Sequence, residues 1–347
     1  MNKPLTLKVA SIERETDDAV TIHLKQPMLR KVRYSAGQYL TLEVEVDGVK
    51  GCRAYSISST PGLDKTLSIT VKRVAGGKVS NQLVQQLSAG DVVQTLGTHG
   101  RFTFAPQPGS RRHIVLLAAG SGITPIFSIL KSALHFEPDS QVSLIYGNRN
   151  TGSVIFRDKL EQLQRTFGER LKLVHVLSQP EAPAAQGGRL TQQRLVELLR
   201  ALPDSGAQTR EYYSCGPGGM MDEVTAALTS MGIAAESVHQ ERFTPAKAAA
   251  VAPVSEAPKR VQLLMQGQEF SFMVPSGQTL LEAALASGVT PPFSCRAGFC
   301  TACVCTRLAG DVRMREDHGL STAELNMGQA LLCVGYPLTD NVRLQVH

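Results

Sequence analysis

Between about residues 5 and 105 apolar and polar positions alternate, as in "LTLEVEV" (40–46) and "LSITVKR" (67–73), and turn signals such as "DG" and "TPG" separate the runs. A period of two puts successive side chains on opposite faces of a strand, so this segment predicts antiparallel strands forming a β-barrel. From about 111 to 243 the pattern changes to short apolar runs (114–118, 142–146, 171–177, 211–214) separated by helical stretches such as "RLTQQRLVELLRAL". That alternation predicts a parallel sheet in an α/β domain. The stretch "TPAKAAAVAPVSEAPK" (244–259) holds six alanines and three prolines and reads as a semi-extended linker. Beyond it come two strands ("RVQLLMQ", "EFSFMV") and a helix whose Thr279 and Glu282 have capping-box spacing, with Gly288 as the stop.

The expected fold class is therefore multidomain, with an antiparallel β-barrel at 1–106, an α/β parallel-sheet domain at 107–244, a linker at 245–258 and an α+β (β-grasp) domain at 259–347. A chain of 347 residues is long enough for each to bury its own core. The formal charge of +6 is scattered without long runs, which gives no reason to expect nucleic acid. The charged start "MNKPLTLKVASIERETDD" lacks the apolar core of a secretory signal, so the expected location is cytoplasmic. One stretch, "HIVLLAAGSGITPIFSIL" (113–130), is apolar enough to suggest a membrane helix, but its glycines, serines and proline read better as strand, turn and helix, so no membrane insertion is expected.

Seven cysteines, an odd number with four inside "CRAGFCTACVC" (295–305), point to metal chemistry rather than disulfides. Cys295, Cys300 and Cys303 follow C-x4-C-x2-C, and Cys333 lies 30 residues later. This is the plant-type spacing for a 2Fe-2S cluster. Zinc is the alternative, but four-cysteine zinc sites usually bring two C-x2-C pairs and this chain has one. In a strand leaving the loop, Cys305 points the same way as Cys303, so it is expected as a small packing residue, and Cys52 gets the same reading. A one-electron cluster needs an electron source. Nicotinamides give electrons only as hydride, and a flavin can split the pair.

Two motifs answer that need. "RAYS" (53–56) followed by "GGKVSNQL" (76–83) resembles the flavin fingerprint of the ferredoxin-NADP reductase superfamily, and "GTHGRFTF" (97–104) resembles its barrel-closing stretch. Arg53 can pair with flavin phosphate oxygens, Tyr55 can lie against the ring or ribityl chain, and Ser56 can hydrogen-bond near N5. Gly77 lets backbone approach phosphate and Ser80 can cap the following helix, with Val71, Lys78 and Val79 beside them. In "AAGSGITP" (118–125), Gly120 and Gly122 permit a tight turn and close approach of a pyrophosphate, while Thr124 and Pro125 open the helix. The superfamily's G-x-G-I-T-P is matched residue by residue. Cys215, Gly216 and Pro217 resemble its C-G-P motif beside the nicotinamide, and Glu241 in "HQERF" resembles its acidic residue near flavin and nicotinamide. After the second parallel strand come Asn148, Arg149 and Arg157 with no carboxylate before Asp158, and Arg189 resembles a further phosphate contact. Arginines there suit a 2′-phosphate, so NADPH is expected over NADH, although Gln179 stands where many NADPH users carry Arg.

Barrel, nucleotide domain and C-terminal ferredoxin together resemble the fused oxygenase reductases, a group that includes the phenylacetyl-CoA epoxidase reductase and the steroid 9α-hydroxylase reductase. The resemblance implies FAD rather than FMN, one 2Fe-2S cluster, and catalytic roles for Ser56, Cys215 and Glu241. It also implies a relay from NADPH through flavin and cluster to a partner protein, an oxygenase component; the chain itself is expected as a monomer. Reduction of a non-oxygenase acceptor such as hybrid-cluster protein or a small molecule is an alternative, as is a non-enzymatic redox sensor. The segment 259–347 carries seven basic and seven acidic residues, and this neutrality suggests that the tether replaces long-range steering.

Overall fold

The computed structural model describes residues 5–27, 31–46, 49–180, 187–203, 206, 207, 209–243, 257–293, 296, 298, 301–315, 318, 320 and 322–346. They fall into two compact units, one that ends at Phe243 and one made by the chain after it, to which the short stretch Cys52–Ala54 is also assigned. Apart from Ala257 and Pro258, the expected linker lies outside the described residues.

The first unit opens with β1 (Leu5–Thr16), β2 (Ala19–Lys25), β3 (Tyr39–Val46), β4 (Val49–Ser56), β5 (Leu67–Lys72), α1 (Lys78–Gln85) and β6 (Val92–His99). The six strands form one sheet in the order β4-β3-β6-β1-β2-β5. An isolated antiparallel bridge from Ile57 to Ile69 brings the chain after β4 onto β5 and closes the barrel. The alternating apolar positions face inward as expected: Leu40, Leu67, Ile69 and Val71 are completely buried. Each such side chain contributes about 1.5–3 kcal/mol relative to exposure. Val79, Leu83 and Val84 of α1 pack on this core.

The same unit continues with β7 (Arg112–Ala119), α2 (Ile123–Phe136), β8 (Gln141–Asn148), α3 (Arg157–Phe167), β9 (Leu171–Leu177), α4 (Gln192–Arg200), β10 (Thr209–Gly216), α5 (Gly218–Ser230) and β11 (Val238–Arg242). Its sheet, ordered β11-β10-β7-β8-β9, is parallel throughout. Successive residues of β7 alternate between two cores: Ile114 and Leu116 join α2 and α3, whereas Val115 and Leu117 join α4 and α5. From β7 the chain moves outward to β9, then returns to β10 on β7's other side. That reversal opens a crevice at the carboxyl ends of the strands. Barrel and α/β layers are joined by buried hydrogen bonds, with Thr60 Oγ1 donating to the Ser128 carbonyl (3.1 Å) and Ser128 Oγ to that of Ser59 (2.6 Å).

The second unit holds β12 (Lys259–Met265), β13 (Gln268–Val274), α6 (Leu280–Ala286), β14 (Val304–Ala309), β15 (Val312–Met314), α7 (Thr322–Asn326), β16 (Gln329–Leu331), β17 (Gly335–Pro337) and β18 (Val342–Val346). Five strands form a mixed sheet ordered β13-β12-β18-β14-β16, with β12 and β18 parallel, and β15 pairs separately with β17. The expected capping box is present, since Thr279 Oγ1 accepts from Glu282 N–H at 3.2 Å and Glu282 accepts from Thr279 N–H at 2.9 Å. Gly288 ends this turn at φ +77°. Among the described residues no helix is long and apolar enough to cross a membrane, and the 113–130 stretch divides into β7 and α2 as expected.

At the foot of β7, Arg112 is buried against Glu137, whose exposure is 0%. Its guanidinium donates to both Glu137 oxygens and, at 2.7 Å, to Glu211 Oε1. Ser140 Oγ and Gln107 N–H complete the Glu137 carboxylate at 2.8 and 2.9 Å. A buried pair so fully bonded contributes little net stability, but breaking it strands a charge. Replacing Glu137 by alanine should lower unfolding free energy by about 3–5 kcal/mol, read from urea denaturation; a loss below about 1 kcal/mol would show that Arg112 finds solvent.

Candidate functional site

The crevice is built on glycine. Gly120 takes φ +53° as the chain leaves β7. A Cβ on Gly122 would stand 2.1 Å from the Cys215 carbonyl oxygen and 2.8 Å from Gly216 Cα, so only glycine lets this turn lie against the end of β10. Gly216 is also confined, with Met220 Sδ 2.8 Å from its virtual Cβ. Tyr146 O–H donates to the Gly120 carbonyl at 2.9 Å, and Thr124 Oγ1 to that of Ser121 at 2.9 Å, which fixes the first turn of α2. Pro125 is buried in the same turn.

Beside this turn lies a cavity of about 550 Å³, lined by Gly120, Pro217, Asn148, Arg149, Arg189, Lys72, Ser153 and Ser178 among others. Both amide atoms of Asn148 are buried and reach no hydrogen-bond partner. An unpaired amide donor and acceptor beside two arginines and a lysine, with Glu223 also in the lining, fit a hydrogen-bonding ligand that carries negative charge, such as a dinucleotide. Ser178 and Gln179 N–H groups donate to the carbonyls of Asn148 (2.9 Å) and Arg149 (2.7 Å), clamping that rim. Of the residues expected at the nucleotide, Gly120, Arg149, Arg189 and Pro217 are in this lining, whereas Gly122, Thr124, Pro125, Gly216 and Arg157 are not; Arg157 Nε donates to Asp158 at 3.1 Å on the exposed start of α3. Lys72 and Ser178 are not singled out by any sequence motif. Lys72 directly follows Val71 in an alternating strand, and that register is the available signal.

On β4, Arg53 is exposed and donates to the Cys52 carbonyl at 2.8 Å, Tyr55 is half-buried, and Ser56 is buried. Strand pleat puts Arg53 and Tyr55 on one face and Ser56 on the other. Ser80 Oγ accepts from Val74 N–H (3.1 Å) and donates to the Gly77 carbonyl (3.2 Å), so it shapes the glycine turn before α1. Lys78 is exposed there, while the Val71 and Val79 side chains belong to the barrel core.

Cys215 on β10 and Glu241 on β11 are register partners. The Cys215 thiol is completely buried, and burial together with the nearby Glu241 charge pushes its pKa up. Glu241 Oε2 is sealed with no hydrogen-bond partner, and burial raises this carboxyl to about 8. Two residues back, His239 stacks on Tyr213 with centroids 4.3 Å apart. Tyr213 O–H donates to Glu211 at 3.0 Å. Contacts from His239 and then Arg112 hold Glu211 down at about 2, despite its burial. Neighbouring strands β10 and β11 thus carry one charged carboxylate and one neutral carboxyl, each set by its own surroundings.

In the second unit Cys303 and Cys333 are buried together: Cys333 N–H donates to Cys303 Sγ at 3.4 Å and Leu332 N–H to the Cys303 carbonyl at 3.1 Å. Backbone donation to sulfur fits a cluster-ligating thiolate. Cys295 and Cys300 lie outside the described residues. Of the described residues in this segment, Arg296, Gly298 and Thr301 take left-handed φ of +53°, +91° and +53°. Cys305 points inward, its Sγ donating to the Ala330 carbonyl at 3.3 Å, in keeping with a packing role.

Comparison with known proteins finds three domain models in this order: an oxidoreductase FAD-binding domain over residues 6–104, an oxidoreductase NAD-binding domain over 116–226, and a 2Fe-2S iron-sulfur cluster binding domain over 263–338. The chain is 34% identical to one of the subunits of the 1,2-phenylacetyl-CoA epoxidase of Escherichia coli K12, over 97% of this chain and 96% of that one. It is 35% identical to the ferredoxin reductase component of 3-ketosteroid-9-alpha-monooxygenase from Mycobacterium tuberculosis, over 98% and 95%. In fold it matches phthalate dioxygenase reductase with a TM-score of 0.60 at 24% identity, covering 99% of this chain and 98% of that one.

Two outcomes follow from this geometry. Gly122→Ala drives a methyl into the Cys215 carbonyl, so it should cost about 1–3 kcal/mol in chemical denaturation and raise the nucleotide KM roughly tenfold or more. In the apoprotein, folded Glu241 keeps a proton that the unfolded chain releases, so stability should fall as pH rises from the ordinary carboxyl value of 4.5 towards about 8. Glu241→Gln should flatten that part of the profile, and urea midpoints that fall equally between about pH 5 and pH 8 in both proteins would contradict the assignment.

Proposed function

Because the chain belongs to the family of three-domain oxygenase reductases with FAD-binding, NAD-binding and 2Fe-2S domains, and is an NAD(P)H-dependent oxidoreductase, we propose that it carries electrons from NADPH to an oxygenase component. The observation that carries this reading is the pairing, in one chain, of a phosphate-ready crevice beside Cys215 and Glu241 with a buried thiol pair at Cys303 and Cys333. Bound flavin supplies the exchange between hydride and single electrons.

The protein's own groups have separable tasks. Arg53, Tyr55 and Ser56 on β4 and the Gly77 turn hold the flavin, with Lys78, Ser80 and the backbone around Val71 and Val79 shaping its surroundings. Gly120, Gly122, Thr124, Pro125, Gly216 and Pro217 present backbone to the dinucleotide, and Cys215 and Glu241 border its reactive end. A carboxyl that titrates at about 8 is largely protonated at neutral pH, so Glu241 offers an O–H rather than a charge there. Arg149 and Arg189 select the 2′-phosphate, supported by the absence of a carboxylate at the end of β8. Arg157 takes part only if its side chain swings from Asp158. Cys295, Cys300, Cys303 and Cys333 hold the cluster, and a neutral, tethered ferredoxin domain needs no strong steering field. The protein acts as a cytoplasmic monomer.

The test is purified protein with Cys333→Ser. NADPH should still reduce the flavin and ferricyanide at the wild-type rate, while the cluster's electron paramagnetic signal and cytochrome c reduction are lost. A variant that keeps both would place the cluster elsewhere. Replacing Arg149 with glutamine should raise the NADPH KM about tenfold with little change for NADH; an equal rise for both donors would refute the 2′-phosphate assignment.

A further inference from the structure

We propose that Asp18, on the turn between β1 and β2 of the barrel, is a specificity-determining residue: a fixed, built-in anion that pairs with Lys72 and Arg149 and competes with a phosphate for them. The inference rests on the reading that Arg149 takes the 2′-phosphate. Asp18 Oδ2 stands 3.6 Å from Lys72 Nζ and 3.6 Å from Arg149 Nη2, and both cations line the nucleotide cavity. One carboxylate from the flavin domain therefore bridges a cation of its own domain and a cation of the nucleotide domain.

The turn is built to keep that carboxylate in place. Thr16 Oγ1 donates to Asp18 Oδ1 at 2.8 Å, and Arg73 N–H donates to the Asp18 carbonyl at 2.6 Å. Thr16 is buried, so the hydroxyl cannot swing away cheaply. On the other side, Gln179 N–H holds the Arg149 backbone while its side chain remains 67% exposed and able to turn. At 3.6 Å the contacts are ion pairs without close hydrogen bonds, which a phosphate able to accept two short bonds from a guanidinium would replace.

The consequence for discrimination is directional. Once a 2′-phosphate sits on Arg149, the fixed Asp18 carboxylate repels it, whereas a free 2′-hydroxyl feels little. Asp18 thus lowers the preference for the phosphorylated nucleotide below what Lys72, Arg149 and Arg189 alone would give. It also keeps the cationic rim from attracting unrelated phosphates.

Inhibition of the flavin-loaded full-length protein by 2′,5′-ADP and by 5′-AMP tests this directly. In Asp18→Asn the inhibition constant for 2′,5′-ADP should fall roughly three- to fivefold at low salt, the scale of an exposed charge pair, with that for 5′-AMP unchanged. The difference should shrink as ionic strength rises. Asp18→Glu should restore the wild-type constants, and Asp18→Ser serves if the asparagine variant is unstable. No change, an equal change for both inhibitors, or weaker 2′,5′-ADP binding would overturn the proposal. The premise is read from the unaltered protein alone: if that binds both inhibitors equally, the 2′-phosphate reading fails and the role of Asp18 falls with it.

Discussion

The closeness of Gly122 to the backbone at Cys215 is the constraint from which the nucleotide half of the molecule follows. Since a methyl there would overlap a carbonyl oxygen, the turn after β7 can lie flush with the end of β10 only because no side chain intervenes. That contact sets the mouth of the crevice, aims the first turn of α2, and brings β10's Cys215 beside the turn that follows β7. β11 then inherits its place from β10, and with it the position of Glu241. One missing carbon atom thereby links the turn after β7 to the position of a buried carboxyl two strands away.

Much of this was legible in the residues because it is periodic or local. Alternation marked the barrel strands, short apolar runs marked β7 to β10, and the Thr279–Glu282 spacing marked α6. β11 was harder, since "VHQER" has neither an apolar run nor a clean alternation and is a strand only because β10 offers it a partner. Arg157 illustrates the opposite difficulty. It lies close to Arg149 in sequence, yet the intervening turn carries it to the head of α3 and away from the crevice lining.

Long-range placement accounts for what sequence left hidden. Lys72 ends a barrel strand with no nucleotide motif near it; only the packing of barrel against α/β layers brings it to the cavity. The sealed amide of Asn148 and the contrasting states of Glu211 and Glu241 are likewise properties of surroundings, not of residue type. The cysteine spacing could be read in full, and the described residues place Cys303 against Cys333.

The parallel pairing of β12 with β18 has a kinetic meaning. Val261 lies opposite Val342 in the middle of the ferredoxin sheet, so two of its inner strands are the first and last of that domain to leave the ribosome. Hairpins of the barrel can zip as they emerge, but this sheet must close a loop of most of its length before its centre exists. Until then the thiols at 295, 300, 303 and 333 belong to an open chain, exposed to oxidation. The ferredoxin sheet is therefore completed late, by a strand that contains no cysteine.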